Sequence, residues 1–147
     1  RRQRSACDTL TIMATGSKVK PQAPARPARP LWLVYLVSWL IPGAGHWWLG
    51  RRQKGVTFLL ALSAMFAIGL ALDGRLFPFE PSEPLVALAA IANIGSGMPY
   101  FVARLLGAGA GLAVAVTYEY GNAFLITAGL LNALVIIDAH DIALGRK

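Results

Sequence analysis

The sequence predicts an all-α membrane protein, a bundle of three to four hydrophobic helical segments with an extended basic N-terminal tail. Three observations predict it. Of the 147 residues 56% are hydrophobic and 14% are charged, where soluble domains carry about 25% charged residues. The cations are unevenly spread: Arg1, Arg2, Arg4, Lys18, Lys20, Arg26 and Arg29 all precede Leu31, so the rest of the chain is poorer still in charge. Apolar runs of near-spanning length then recur to the end, and mean hydropathy is +0.54. A chain this apolar cannot cover itself with polar side chains in water, and a lipid bilayer is the economical solvent.

The length suits one domain, divided into a tail over 1–30 and a membrane domain over 31–147. The tail, "RRQRSACDTLTIMATGSKVKPQAPARPARP", has no periodic apolar pattern, and its Pro, Ala and Arg alternation favours extended backbone. Met13 reads as a translation start, which would make residues 1–12 a leader. Cys7 is the one cysteine, so no disulfide framework and no paired-cysteine metal motif forms within the chain. The net charge of +7 would suggest nucleic acid in a soluble protein. Gathered before apolar segments, the same cations suit anionic lipid headgroups or an acidic protein surface, and no nucleic-acid partner is expected.

Four segments follow. The first, about 31–49, is broken by Pro42, which removes a backbone donor and clashes with the preceding turn. Leu31 to Ile41 would reach only about 16 Å as a helix, half a hydrocarbon core. The segment is thus a kinked span, a dip that returns, or a loose match to a cleaved signal peptide. The second, about 55–72, is an unbroken span candidate ending at the acidic, Pro-rich "DGRLFPFEPSEP". The third, about 85–106, is kinked or ended near Pro99 and runs into "GAGAGLAVAV", a loop, a re-entrant piece or a continuation. The fourth, about 121–144, is the cleanest helix. The tail falls on the cytoplasmic side whether the first segment spans or returns, and the distribution of Lys and Arg does not choose between the two.

The stretch "PGAGHWWLGRRQKG" (42–55) carries most of the candidate residues. Trp47 and Trp48 beside Arg51, Arg52 and Lys54 mark a headgroup layer, as interface anchors. Gly43 and Gly45 allow a tight turn or close helix approach, and His46 would meet a carbonyl freed by Pro42. With Asn93, Gly129 and Asn132, those two glycines form the candidate helix-packing set. Asn122, Gly129, Asn132, Ile136 and His140 fall near one face of the last helix, where small and amide residues favour packing inside the chain.

His46 and His140 are the candidate cofactor ligands, for a haem or chlorophyll tetrapyrrole. No cofactor is required by the sequence, and no metal site is expected. In "DAHD", Asp138 and Asp141 share a helix face while His140 points elsewhere, so the three cannot close around one ion unaided. Two carboxylates near a helix C-terminus are unfavourable unless paired, which predicts cationic partners among Arg51, Arg52 and Arg104. Glu119 suits the N-terminus of the last helix. "GAGAG" (107–111) lacks the Lys-Ser/Thr of a phosphate loop, and neither a Gly-x-Ser-x-Gly elbow nor a His-Glu-x-x-His pair is present. No catalytic set is assembled, and an enzyme is not expected.

"PGAGHWWLG" resembles the glycine and histidine turn of the TM-two domain family, small membrane proteins whose paired helices are joined by a short turn. That family usually follows the histidine with an aromatic and a tyrosine, where Trp47 and Trp48 stand in this chain. "YEYGNAFLITAGLLNALVIIDAHDIALGRK" is similar to an uncharacterised bacterial family with the same N-terminal pattern. The resemblance implies a multi-pass protein of a bacterial inner membrane and brings no catalytic residues. The function expected is that of a structural or accessory subunit of a larger membrane complex or homo-oligomer. Its rivals are a cofactor-binding subunit of an electron-transfer or photosynthetic complex, using His46 or His140, and a small transporter or channel component.

Overall fold

In the computed structural model, residues 30–146 are described. The tail lies outside them apart from Pro30, and with it Cys7 and Met13. Six helices follow in order: α1 (Leu31–Leu40), α2 (Ala44–Trp48), α3 (Arg52–Ala71), α4 (Pro84–Gly95), α5 (Met98–Leu105) and α6 (Tyr118–Ala143). No named strand occurs among the described residues, only an isolated antiparallel bridge between Arg75 and Ala110. The fold is all-α.

α6 is the axis of the bundle, and α1, α3 and α4 all pack on it. α3 and α6 are each long and apolar enough to cross a membrane, with mean hydropathy 1.8. Taken as one span, the bent pair α4–α5 would be a third. α3 runs antiparallel to α6: Lys54 reaches Asp138 at one end, and Gly69 lies against Gly121 and Leu125 at the other. Tyr118 of α6 marks one end of the bundle, the Tyr118 end, and Ala143 the other, the Ala143 end. α3 begins at Arg52 rather than at Gly55, so the cations expected to precede this helix open it.

Before Pro42 the chain cannot stay helical. Ile41 takes extended backbone (φ −121°, ψ 109°), as the residue before a proline prefers, and Gly43 turns the chain at φ +82°. α2 then runs back beside α1. Tyr35 stacks on His140 at 5.2 Å, Trp39 meets Asn132 farther down α6, and His46 returns to Asp138. The first apolar segment is therefore a hairpin that enters and leaves at the Ala143 end and reaches only half the length of α6.

The third segment is also broken. α4 begins with Pro84 at its first position, where the missing N–H costs nothing. It stops at Gly95, beside Gly129 and Asn132. The pair bends by 104° between α4 and α5. The break falls at Gly97 (φ +72°, ψ −133°), two residues before the expected Pro99, which sits harmlessly in the first turn of α5. Only glycine fits there, because a Cβ would collide with the carbonyl of Trp39 and strain the left-handed backbone.

From α5 the chain returns to the Tyr118 end, where the Leu76 N–H donates to the Gly109 carbonyl at 2.9 Å and Gly111 abuts Arg75 and Tyr118. α4 is fed from that same end, since Arg75 and Leu76 lie there and a turn closed by the Glu83 N–H on Glu80 shortens the remaining link. "GAGAG" is accordingly loop. The main apolar cluster, Phe66, Leu76, Tyr100, Ala103, Leu125 and Ala128, fills the Tyr118 half of the bundle.

Candidate functional site

Two polar groupings interrupt the apolar interior, one near the Ala143 end and one at the middle of α6. The first centres on His46. α2 is too short to bury anything by itself, but the Pro42–Gly43 turn presses it against α3 and α6. A Cβ on Gly43 would collide with the Gly55 carbonyl, and one on Gly45 with Ser38 Oγ. With backbone this close, the His46 ring is fully buried. Its Nε2 lies 2.9 Å from Asp138 Oδ2, and its face meets Phe58 at 5.1 Å between centroids. Lys54 Nζ stands 3.6 Å from the same carboxylate oxygen. Asp138 thus joins a buried imidazole to a half-exposed ammonium, and the three tie α2, α3 and α6 together at one point.

This corrects two expectations. His46 does not meet a carbonyl freed by Pro42; it meets a carboxylate on another helix. Among the described residues the Lys and Arg side chains at ion-pair distance from the two aspartates are Lys54 and Arg146, where Arg51, Arg52 or Arg104 was expected. Lys54 serves Asp138, while Arg146 Nη1 stands 3.6 Å from Asp141 Oδ1 one turn on. Arg104 instead lies 6.0 Å over the Tyr100 ring near the other end. Arg51 and Arg52 are exposed. The reason is geometric: α3 starts early enough to carry Lys54 inward on the α6 face, and the two arginines before it stay outside.

The two histidines do not share a site. His140 stacks on Tyr35 beside α1, whereas His46 faces Asp138 between α2 and α3. With Nε2 held by Asp138 and no exposed edge, His46 offers a tetrapyrrole no open face. Among the described residues no group of three or more His, Cys, Asp and Glu side chains is placed to hold a metal ion. Trp47 and Trp48 are both exposed. They line, with Ile41, Pro42, Gly43, Ala44, Gly55 and Leu59, an open apolar cavity of about 370 Å³.

The second grouping lies where the two hairpin tips meet. Asn132 Nδ2 donates to the carbonyls of Gly95 (2.9 Å) and Trp39 (3.3 Å), and Trp39 Nε1 donates to the Ile94 carbonyl (3.1 Å). α6 approaches α4 so closely that a Cβ on Gly129 would collide with the Ala92 carbonyl and come within 3.2 Å of Ser96 Oγ. Of the candidate packing residues, Gly129 and Asn132 lie here, with buried Asn93 next to Ala92 on α4, while Gly43 and Gly45 serve the other hairpin. Asn122, at the Tyr118 end, accepts the Arg75 N–H at 2.7 Å. The small and amide face of α6 is spent inside the chain.

Sequence reasoning missed Ser38, Ser96 and the Asp138 pairing with His46. The serines carry no spacing signal. The pairing was hinted at only by each residue's need for a partner, since 92 positions separate them.

No curated protein and no solved structure matches the chain. Residues 33–147 match a family of unknown function, DUF6677, and the chain belongs to that family.

Proposed function

We propose that this protein is a small multi-pass subunit of a larger membrane assembly, with an accessory and structural role. The supporting observation is the segment after α5. Leu105, Leu106, Leu112, Val114 and Val116 are exposed, the two valines at 87% and 92%, and between Leu106 and Thr117 the backbone belongs to no helix. Water solvates such side chains poorly. Lipid solvates irregular backbone poorly, because its polar groups need partners. Another protein surface satisfies both.

Sidedness is part of the same proposal. Arg51, Arg52, Lys54 and Arg146 stand at the Ala143 end, where the tail also joins; the Tyr118 end has Arg75 and Arg104 with Asp73, Glu80, Glu83 and Glu119. The excess of Lys and Arg supports a reading in which the Ala143 end and the tail face the cytoplasm of a bacterial inner membrane, with anionic headgroups around Arg51 and Arg52. The α1–α2 hairpin joined to α3 by a short turn is what a TM-two relative would contain, and that relation stays within the proposal. The cofactor reading loses ground because Asp138 holds His46. A small transporter or channel component is the second reading, favoured by the buried amides around Asn132.

The test is blue-native electrophoresis of membranes extracted in mild detergent, with identification of co-migrating chains. Migration well above the monomer is expected, with release to monomer in Val114→Asp and Val116→Asp. Migration of the native chain as a lone monomer overturns the proposal.

A further inference from the structure

α1 and α4 approach from opposite ends and both terminate at the level of Asn132. Their C-terminal carbonyls therefore converge on one small volume inside the bundle. Each helix C-terminus carries roughly half a negative charge, and converging ends of like sign repel unless something positive lies between them. Asn132 Nδ2 supplies two hydrogen bonds to that region, on Trp39 and Gly95, and those two bonds fix which way its amide faces.

What remains is an excess of buried oxygen. Asn132 Oδ1, Asn93 Oδ1 and Ser96 Oγ meet no hydrogen-bond partner within the protein, and neither does Asn93 Nδ2. Asn93 and Asn132 are 0% exposed and Ser96 2%. Asn93 lies in the last turn of α4 and Ser96 caps that helix three residues on, and Ser96 Oγ lies against Gly129, one turn from Asn132 on α6. A buried polar group left without a partner costs about 1–3 kcal/mol, so three such residues at one level form a costly arrangement for packing alone. Discontinuous helices whose C-terminal ends and unwound carbonyls face inward are the way membrane proteins hold small cations.

We propose that the meeting point of α1 and α4 binds one monovalent alkali cation, through the side-chain oxygens of Asn93, Ser96 and Asn132 and the carbonyls of Trp39 and Gly95. These groups include no carboxylate, which suits a single charge and not a divalent ion. The Asn93 Nδ2 donor is served by a water that enters with the ion. This binding is independent of the accessory role: a subunit locked by an ion and a subunit without one fit the same assembly.

The experiment is thermal unfolding of the purified full chain in detergent, followed by tryptophan fluorescence, in NaCl, KCl and choline chloride at equal ionic strength. Trp39 reports from the site itself. A saturable rise in Tm of about 3 °C or more in Na⁺ or K⁺ over choline is expected, and it should disappear in Asn93→Ala and in Ser96→Ala. Thr57→Ala, whose hydroxyl bonds only the Gln53 carbonyl on exposed α3 surface, should keep it. Equal Tm in all three salts overturns the proposal and assigns the buried oxygens to ordered water. So does a cation response that both site variants retain. Should Asn93→Ala not fold, Ser96→Ala and the native chain decide.

Discussion

His46 Nε2 and Asp138 Oδ2 stand 2.9 Å apart across 92 positions of sequence, and the contact closes the first hairpin onto the last helix. The imidazole is wholly buried, the carboxylate is 20% exposed, and Lys54 caps it from the wetter side at 47% exposed. One carboxylate thereby joins α2 and α3 to α6 at this end of the bundle.

Asp138→Ala leaves the His46 ring buried with neither nitrogen partnered. A loss of about 1–3 kcal/mol is expected, measured as reversible unfolding in mixed micelles. Asp138→Asn, which keeps an acceptor oxygen, should cost less. Lys54→Ala removes only a half-exposed partner and should cost about 1 kcal/mol or less. Equal losses for Lys54→Ala and Asp138→Ala would show that the imidazole contributes little.

Gly129→Ala should be among the most damaging single methyl additions. Its Cβ would collide with the Ala92 carbonyl, a backbone atom that cannot rotate away, so α4 must separate from α6. A loss of about 2 kcal/mol or more and accelerated proteolysis within the Asp73–Glu83 link are expected. Native-like proteolysis would mean that the two helices pack less closely than described.

Gly45→Ala differs in kind, because the obstruction is the hydroxyl of a side chain, Ser38 Oγ. Removing that hydroxyl in Gly45→Ala/Ser38→Ala should recover part of the lost stability, a non-additive coupling of about 1 kcal/mol. Ser38→Ala alone should be neutral or stabilising, since the hydroxyl is buried without a partner. Additive losses in the double variant would place Ser38 elsewhere.

Asn132→Leu removes the donor shared by the carbonyls of Trp39 and Gly95. Both hairpin tips lose their tie to α6, at a cost of about 1–3 kcal/mol. Amide exchange should then rise in α1 and α4 more than in α3. Uniform exchange across all helices would point to global loosening and sink the idea of a local tie.

The helical class was legible from composition alone, and so were the two long spans, whose apolar runs carry no proline. Pro42 announced a break but not its outcome, because a kinked span and a returning hairpin have the same local sequence. The choice is made by Asn132 and Asp138, far along the chain. The third segment misled similarly: Pro99 draws the eye, yet a proline in the first turn of a helix is harmless, and the bend belongs to Gly97, whose need for a positive φ is set by Trp39 from another helix. At the site, the burial of Asn93 and Asn132 was readable as helix packing. Which lone pairs stay unused depends on three-dimensional register that no spacing encodes.

The long separation of His46 from Asp138 sets an order of events during synthesis. At 5–20 residues per second, a ribosome finishes the first hairpin about 5–20 s before the carboxylate that completes it emerges. Until α6 is made, the Trp39 and Gly95 carbonyls lack the Asn132 donor and His46 lacks its carboxylate. A nascent chain stalled before α6 should therefore carry two half-inserted hairpins with open polar faces, the kind of species that membrane chaperones and proteases recognise.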